Sequence, residues 1–153
     1  MEIVEDEKTL RLAKCYSGAV FGVGARSVEI EVCASEGSPQ FTIVGLPDTA
    51  VKEAKDRVST AIGNSGFEKP ERNITVNLAP ADVKKEGPLY DLPIAACLLA
   101  ATGKARCRDL AGWGMVGELA LSGEIRKVRG VLPIVMEMRR IGRKGVLVPV
   151  ENA

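Results

Sequence analysis

The segment Ile94–Ala101 (IAACLLAA) carries no polar side chain anywhere around its helical circumference. A helix apolar on every face has to be covered on every face. The apolar run falls short of the roughly 20 residues a bilayer requires, so its cover is expected to be protein. The layers that bury it must come from the rest of the chain. A Gly87-Pro88 turn precedes it, with Asp91 placed to cap it and Pro93 in its first turn, where a missing N–H costs nothing.

The remaining chain supplies those layers. Leu10 to Gly22 suits a first strand. In SVEIEVCA, Val28, Ile30 and Val32 alternate with Glu29, Glu31 and Cys33, the period of a strand with one buried and one wet face. EGSPQ turns the chain, and FTIVG reads as the third strand of an antiparallel meander. Asp48 is placed to cap a helix in which Val51, Ala54, Val58 and Ile62 share a face, ended by Gly63 or Gly66. RNITVNL alternates as a returning strand, and GMVGELALSGEIRKV reads as two strands about Ser122-Gly123. Pro133 opens a short helix with Ile134, Met138 and Ile141 inward, and KGVLVPV forms a last strand. Strands first paired locally and then alternating with helices give an α+β fold with a mixed sheet. With 153 residues, 46% of them hydrophobic, one domain is expected over 10–153, behind an acidic extension at 1–9. The abrupt stop at VPVENA reads as a domain cut from a longer chain.

Several chemistries lose their usual residues. There is no histidine, hence no imidazole base or zinc ligand. Cys15, Cys33, Cys97 and Cys107 form no CxxC-type pair, and Cys33 and Cys97, in apolar surroundings, read as small core residues. The start MEIVEDEK has no signal-peptide pattern, so a reduced, cytoplasmic setting without a membrane partner is expected. No GxxxxGK[ST] occurs, and GVGARS lacks a third glycine and leads into a strand, so no nucleotide site is expected here. Glu118 and Glu124 flank a hairpin and read as turn residues rather than an acid/base pair. Tyr90 has no base beside it.

Charge is unevenly spread. Residues 104–153 carry 10 basic and 5 acidic side chains, although the whole chain is close to neutral. Arg126, Lys127, Arg129, Arg139, Arg140, Arg143 and Lys144 fall in this part, and Lys84 and Lys85 stand next to the Gly-Pro turn. Either these are solvated faces or they meet an anionic partner. Since no aromatic residues interleave with them, the contacts expected are with phosphates and weaken as salt rises.

QFTIVGLPDTAVKEAKDRVSTAIGNSGF, ITVNLAPADVKKEGPLYDLPIA, GELALSGEIRKVRGVLPI and VLVPVENA together resemble the N-terminal domain of magnesium-chelatase-like AAA+ ATPases of the ComM/YifB type, from about Leu12 to Ala153. The resemblance implies a Lon-protease-like, ribosomal S5 domain 2-like fold preceding an ATPase module. That module would hold ATP and magnesium, and this chain has no cofactor or metal of its own. Lon-type proteases set a nucleophilic serine after the Gly-Pro turn and a lysine in the helix after the hairpin. Those positions fall on Leu89 and Leu132, so both halves of the dyad are missing and no catalytic residue is assigned.

The resemblance further implies an accessory role: joining the AAA+ motor of the same polypeptide, assembling as a ring-shaped, hexameric homo-oligomer, and engaging DNA, with full-length ComM-like proteins linked to natural transformation. RadA-type repair ATPases, similar at the GE…LSGE hairpin, point the same way. The DNA contacts expected are Lys84, Lys85, Arg126, Lys127, Arg129, Arg139 and Arg140. Two alternatives stand: a hydrolase using Ser122 or Cys107, and a purely protein-binding module of a chelatase-like complex.

Overall fold

The computed structural model describes residues 11–153; the acidic extension at 1–9 lies outside them. Among the described residues there are eight strands: β1 (Leu12–Phe21), β2 (Gly24–Ser35), β3 (Gln40–Val44), β4 (Asn73–Ala79), β5 (Trp113–Met115), β6 (Glu118–Leu119), β7 (Ile125–Arg126) and β8 (Gly145–Leu147). The helices are α1 (Thr49–Lys52), α2 (Ala54–Asn64), α3 (Asp91–Ala101) and α4 (Val131–Arg140), with a 3-10 turn at Pro88–Tyr90. β6 and β7 pair apart as a small ribbon, and the other strands form a six-stranded mixed sheet in the order β3-β4-β2-β1-β5-β8.

The expected meander is overturned at its third strand. β3 runs parallel to β4, and β4 rather than β3 lies antiparallel against β2, with Val76 opposite Val32 and Leu78 opposite Ile30. The reason is burial. Ile74, Val76 and Leu78 are fully enclosed, whereas no residue of β3 is buried, so the greasier strand takes the inner place and β3 the edge. The helices between them supply the crossover that a parallel pair needs.

One face of the sheet presents Cys15, Val28, Ile30, Val32, Val76 and Leu78 to α2 and α3. None of the α3 side chains is exposed, as its sequence demands. Cys33 is a correction: it lies on the opposite, wet face beside Leu12 and Thr75 and is exposed, as its alternation with Ile30 and Val32 dictates. Cys15 takes the core place instead, its sulfur 3.3 Å from that of Cys97. α4 covers part of the second face, where Ile134 packs on Gly18 so closely that a Cβ there would collide with it.

Asp91 is a second correction. It opens α3 as its first residue, and its side chain caps nothing in that helix. The main chain around Gly117 takes over: Leu92 N–H donates to Gly117 O at 3.0 Å, and Gly117 N–H donates to Leu89 O at 2.9 Å. The Asp91 carboxylate, fully buried, instead accepts from Arg57 Nε at 2.7 Å, Arg57 Nη2 at 3.0 Å and Leu119 N–H at 3.0 Å. One side chain thereby ties α2, α3 and the β6–β7 ribbon together.

Candidate functional site

Several stretches of chain meet beside the Gly87-Pro88 turn and enclose a cleft of about 650 Å³. The β1–β2 hairpin brings Val20, Phe21 and Arg26, the loop after β4 brings Asp82, Lys84 and Glu86, and the 3-10 turn brings Leu89 and Tyr90. Glu118 of β6 and the residues Lys127 to Arg129 after β7 close the other side.

The turn is held by its neighbours. Gly87 has φ 83°, a left-handed value that a side chain would strain, and its N–H donates to Asp48 Oδ2 at 3.1 Å. The other Asp48 oxygen caps α1 by accepting from Val51 N–H at 2.8 Å, as the sequence indicated. Main-chain bonds between Lys85 and both Leu46 and Asp48 complete the clasp. Across the cleft, Asn152 brackets Val128: Val128 N–H donates to Asn152 Oδ1 and Asn152 Nδ2 donates to Val128 O, each at 3.0 Å. That bracket fixes the backbone on which Lys127 and Arg129 project.

The side chains at the turn are ill suited to covalent chemistry. Leu89 is buried at the cleft floor, and Tyr90, buried beside it, donates its hydroxyl to Gly18 O at 2.9 Å. Burial, helped by the charges of Asp48 and Glu86, pushes the Tyr90 phenol well above its ordinary value, so it is neither base nor nucleophile near neutral pH. Leu132 does not line this cleft. It stands 70% exposed on α4, because burying Ile134 and Met138 against the sheet turns Leu132 and Met136 outward. Ser122 and Cys107 also lie outside the cleft lining.

Of the cations expected to act together, the structure gathers Lys84, Lys127 and Arg129 on the cleft wall. Lys85 is corrected: its side chain is fully buried and its ammonium donates to Pro80 O, so it reaches no external phosphate. Burial lowers its pKa, against the opposing pull of Asp82. Arg126 is exposed on β7, one residue from the cleft wall, and Arg139 and Arg140 are exposed at the far end of α4, roughly 15 Å of helix from its start. Arg140 forks onto Glu137 at 2.7 and 2.9 Å. Arg143 stacks 4.5 Å from the centroid of Tyr16, and Lys144 pairs with Asp109. The C-terminal cations are thus dispersed, many of them already engaged.

Among the described residues, neither Lys127 nor Arg129 has a carboxylate within ion-pair distance. Lys84 stands 3.4 Å from Glu86, both well exposed, a pairing that contributes about 0–1 kcal/mol. Two cleft residues escaped the sequence reading. Phe21 is 65% exposed, and the Arg26 guanidinium lies 4.5 Å from its ring centroid. The signal was present in FGVGAR: once it folds as a hairpin, Arg26 faces Ala19 across the strands and becomes the diagonal neighbour of Phe21.

Comparison with known proteins places this geometry in a family. Residues 30–152 match the family described as subunit ChlI of Mg-chelatase. The chain is 50% identical over 144 residues to the uncharacterized protein YifB of Salmonella typhimurium, covering 94% of this chain and 28% of that protein. It is 46% identical over 144 residues to the competence protein ComM of Haemophilus influenzae, with the same coverage. Lon protease 2 of Bacillus subtilis is more distant, 24% identical over 151 residues that cover 88% of this chain and 27% of the protease, consistent with a Lon-like fold. The chain therefore spans a little over a quarter of the length of these relatives, and it belongs to the family of the Mg-chelatase subunit ChlI, on the ComM/YifB side.

Proposed function

We propose that the chain is a non-peptidase, Lon-like accessory domain of a ComM/YifB-type AAA+ ATPase in the cytoplasm, engaging nucleic acid while a motor elsewhere in the polypeptide supplies ATP hydrolysis, with magnesium, and ring assembly. The observation that carries this reading is the cleft itself. Leu89 follows the Gly-Pro turn at its floor, and an isobutyl group neither attacks a carbonyl nor accepts a proton. On the wall, Lys127 and Arg129 project with no carboxylate partner among the described residues, a setting that favours an anionic ligand over bond cleavage. The Haemophilus relative is a competence protein, which agrees with a DNA partner.

The test has two arms. Incubation with unfolded protein and with serine- and cysteine-directed probes is expected to give neither cleavage nor selective labelling; labelling of Ser122 or Cys107 with turnover would restore the hydrolase alternative. Titration of labelled DNA at low and high salt is expected to show salt-sensitive binding that Lys127→Glu and Arg129→Glu abolish. Absence of binding at low salt would favour a protein-binding module.

A further inference from the structure

The cleft holds more than phosphate-binding charge. Phe21 stands at its lip, two-thirds exposed at the tip of a two-stranded ribbon, where an aromatic ring gains nothing from the core. Its partner is a guanidinium rather than an apolar side chain: Arg26 lies over one face. Val20, Val83, Pro88 and Leu89 give the space behind it an apolar surface. Lys84, Lys127 and Arg129 border the same space.

An exposed ring beside a cation-edged, concave, apolar-walled space is the arrangement by which single strands are held: bases stack on the aromatic, and basic residues follow the backbone. A duplex is a poorer fit. Its base faces are stacked on one another, leaving only base edges in its grooves, so Phe21 would find no partner there. An acidic peptide would satisfy the cations but leave the ring and the apolar wall unused. Among the described residues, three carboxylates also line the cleft, Asp82, Glu86 and Glu118. They reduce its net positive charge, so affinity must draw on stacking as well as on Coulomb attraction. Glu86 is already answered by Lys84.

We propose that this cleft binds single-stranded nucleic acid, with a base stacked on Phe21 and the adjoining phosphates on Lys127, Arg129 and Lys84. The inference rests on the nucleic-acid reading above and adds to it a strand preference and a stacking residue.

The 153-residue chain is titrated into fluorescein-labelled oligothymidylate of about 20 nucleotides and, separately, into a duplex of the same length, with anisotropy read between about 50 and 200 mM salt. Single strand is expected to bind more tightly than duplex. Phe21→Ala is expected to weaken it about 5- to 150-fold while leaving the salt slope unchanged, since no phosphate contact is lost. Phe21→Trp is expected to retain binding and to show indole quenching on saturation, and Arg129→Glu to weaken binding and flatten the slope. Phe21 is exposed, so circular dichroism of its variants should match the unmodified chain. Equal binding of both forms, unaffected by Phe21→Ala but lost in Arg129→Glu, would overturn this inference and leave the broader reading standing. Displacement of the oligothymidylate by oligoglutamate at equal charge concentration would overturn it in favour of an acidic peptide. No binding at low salt would overturn both.

Discussion

Replacing Asp91 by alanine tests how the ribbon beside the cleft is held. The carboxylate is fully buried and satisfies two N–H groups of Arg57 and the N–H of Leu119. Removing it strands a guanidinium whose side chain is only 20% exposed and leaves the Leu119 N–H without its acceptor. Breaking a buried pair costs about 3–5 kcal/mol, the orphaned N–H accounting for roughly 1–3 of that. Arg57 keeps one bond, to Ala50 O at 2.7 Å, which points to the lower end. For a domain of this size about 3 kcal/mol lowers Tm by roughly 6–12 °C. Replacing both partners, Arg57→Met with Asp91→Ala, is expected to cost less than the two single variants together, because no lone charge remains and only the Leu119 N–H lacks its acceptor, at about 1–3 kcal/mol. Arg57→Met alone leaves a carboxyl that burial already pushes above its ordinary value without the hydrogen bond and charge that hold it down. Its folded pKa then stands well above the unfolded value of about 3.9, so the stability it contributes is complete below that value and lost as pH rises through the folded one. This variant should recover stability, relative to the unmodified chain, as pH is lowered from 7 toward 4. Urea denaturation followed by far-ultraviolet circular dichroism measures the cycle at each pH. A cost below about 1 kcal/mol for Asp91→Ala, or additive single variants, would refute the reasoning.

Three other outcomes follow from the same fold. Gly45→Ala should cost well over 1 kcal/mol, because φ is 109° and the new Cβ would strike the Leu78 carbonyl; Gly22→Ala, with φ 62° and open space around it, should cost about 1–2 kcal/mol by urea denaturation, and equal costs would refute the close approach. Maleimide should label Cys33 and Cys107 in the folded chain and Cys15 and Cys97 only after denaturation, read by peptide mass spectrometry, since the Cys97 sulfur and burial both push the Cys15 thiol up. Glu137 is held below its ordinary value by hydrogen bonding from Arg140, then by that residue's charge and the Ser27 N–H. Its stabilisation is present above the unfolded value and lost as pH falls through the folded one, so Glu137→Gln should flatten the acid limb of a Tm-against-pH profile.

What the sequence disclosed depended on range. The apolar circumference of Ile94–Ala101 and the alternation at Val28–Val32 are written in neighbouring residues, and both elements appear as read. Strand order is not local: β3 and β4 look alike one at a time, and only their competition for the place beside β2 separates them. The cleft suffered the same way. Lys84, Lys127 and Arg129 were visible as cations, but proximity to the turn in sequence made Lys85 look equally available, and only the fold shows its ammonium turned inward to Pro80. Phe21 and Arg26 meet through hairpin register, a relation that neither residue type announces.

Asn152 gives the last turn of the chain a weight beyond its length. Its amide grips the one backbone unit between Lys127 and Arg129 at both donor and acceptor. Trimming even two residues from that end would release the grip, and the spacing of two positive charges more than twenty residues away in sequence would drift with it. A change at Asn152 is therefore also a change to the cleft wall.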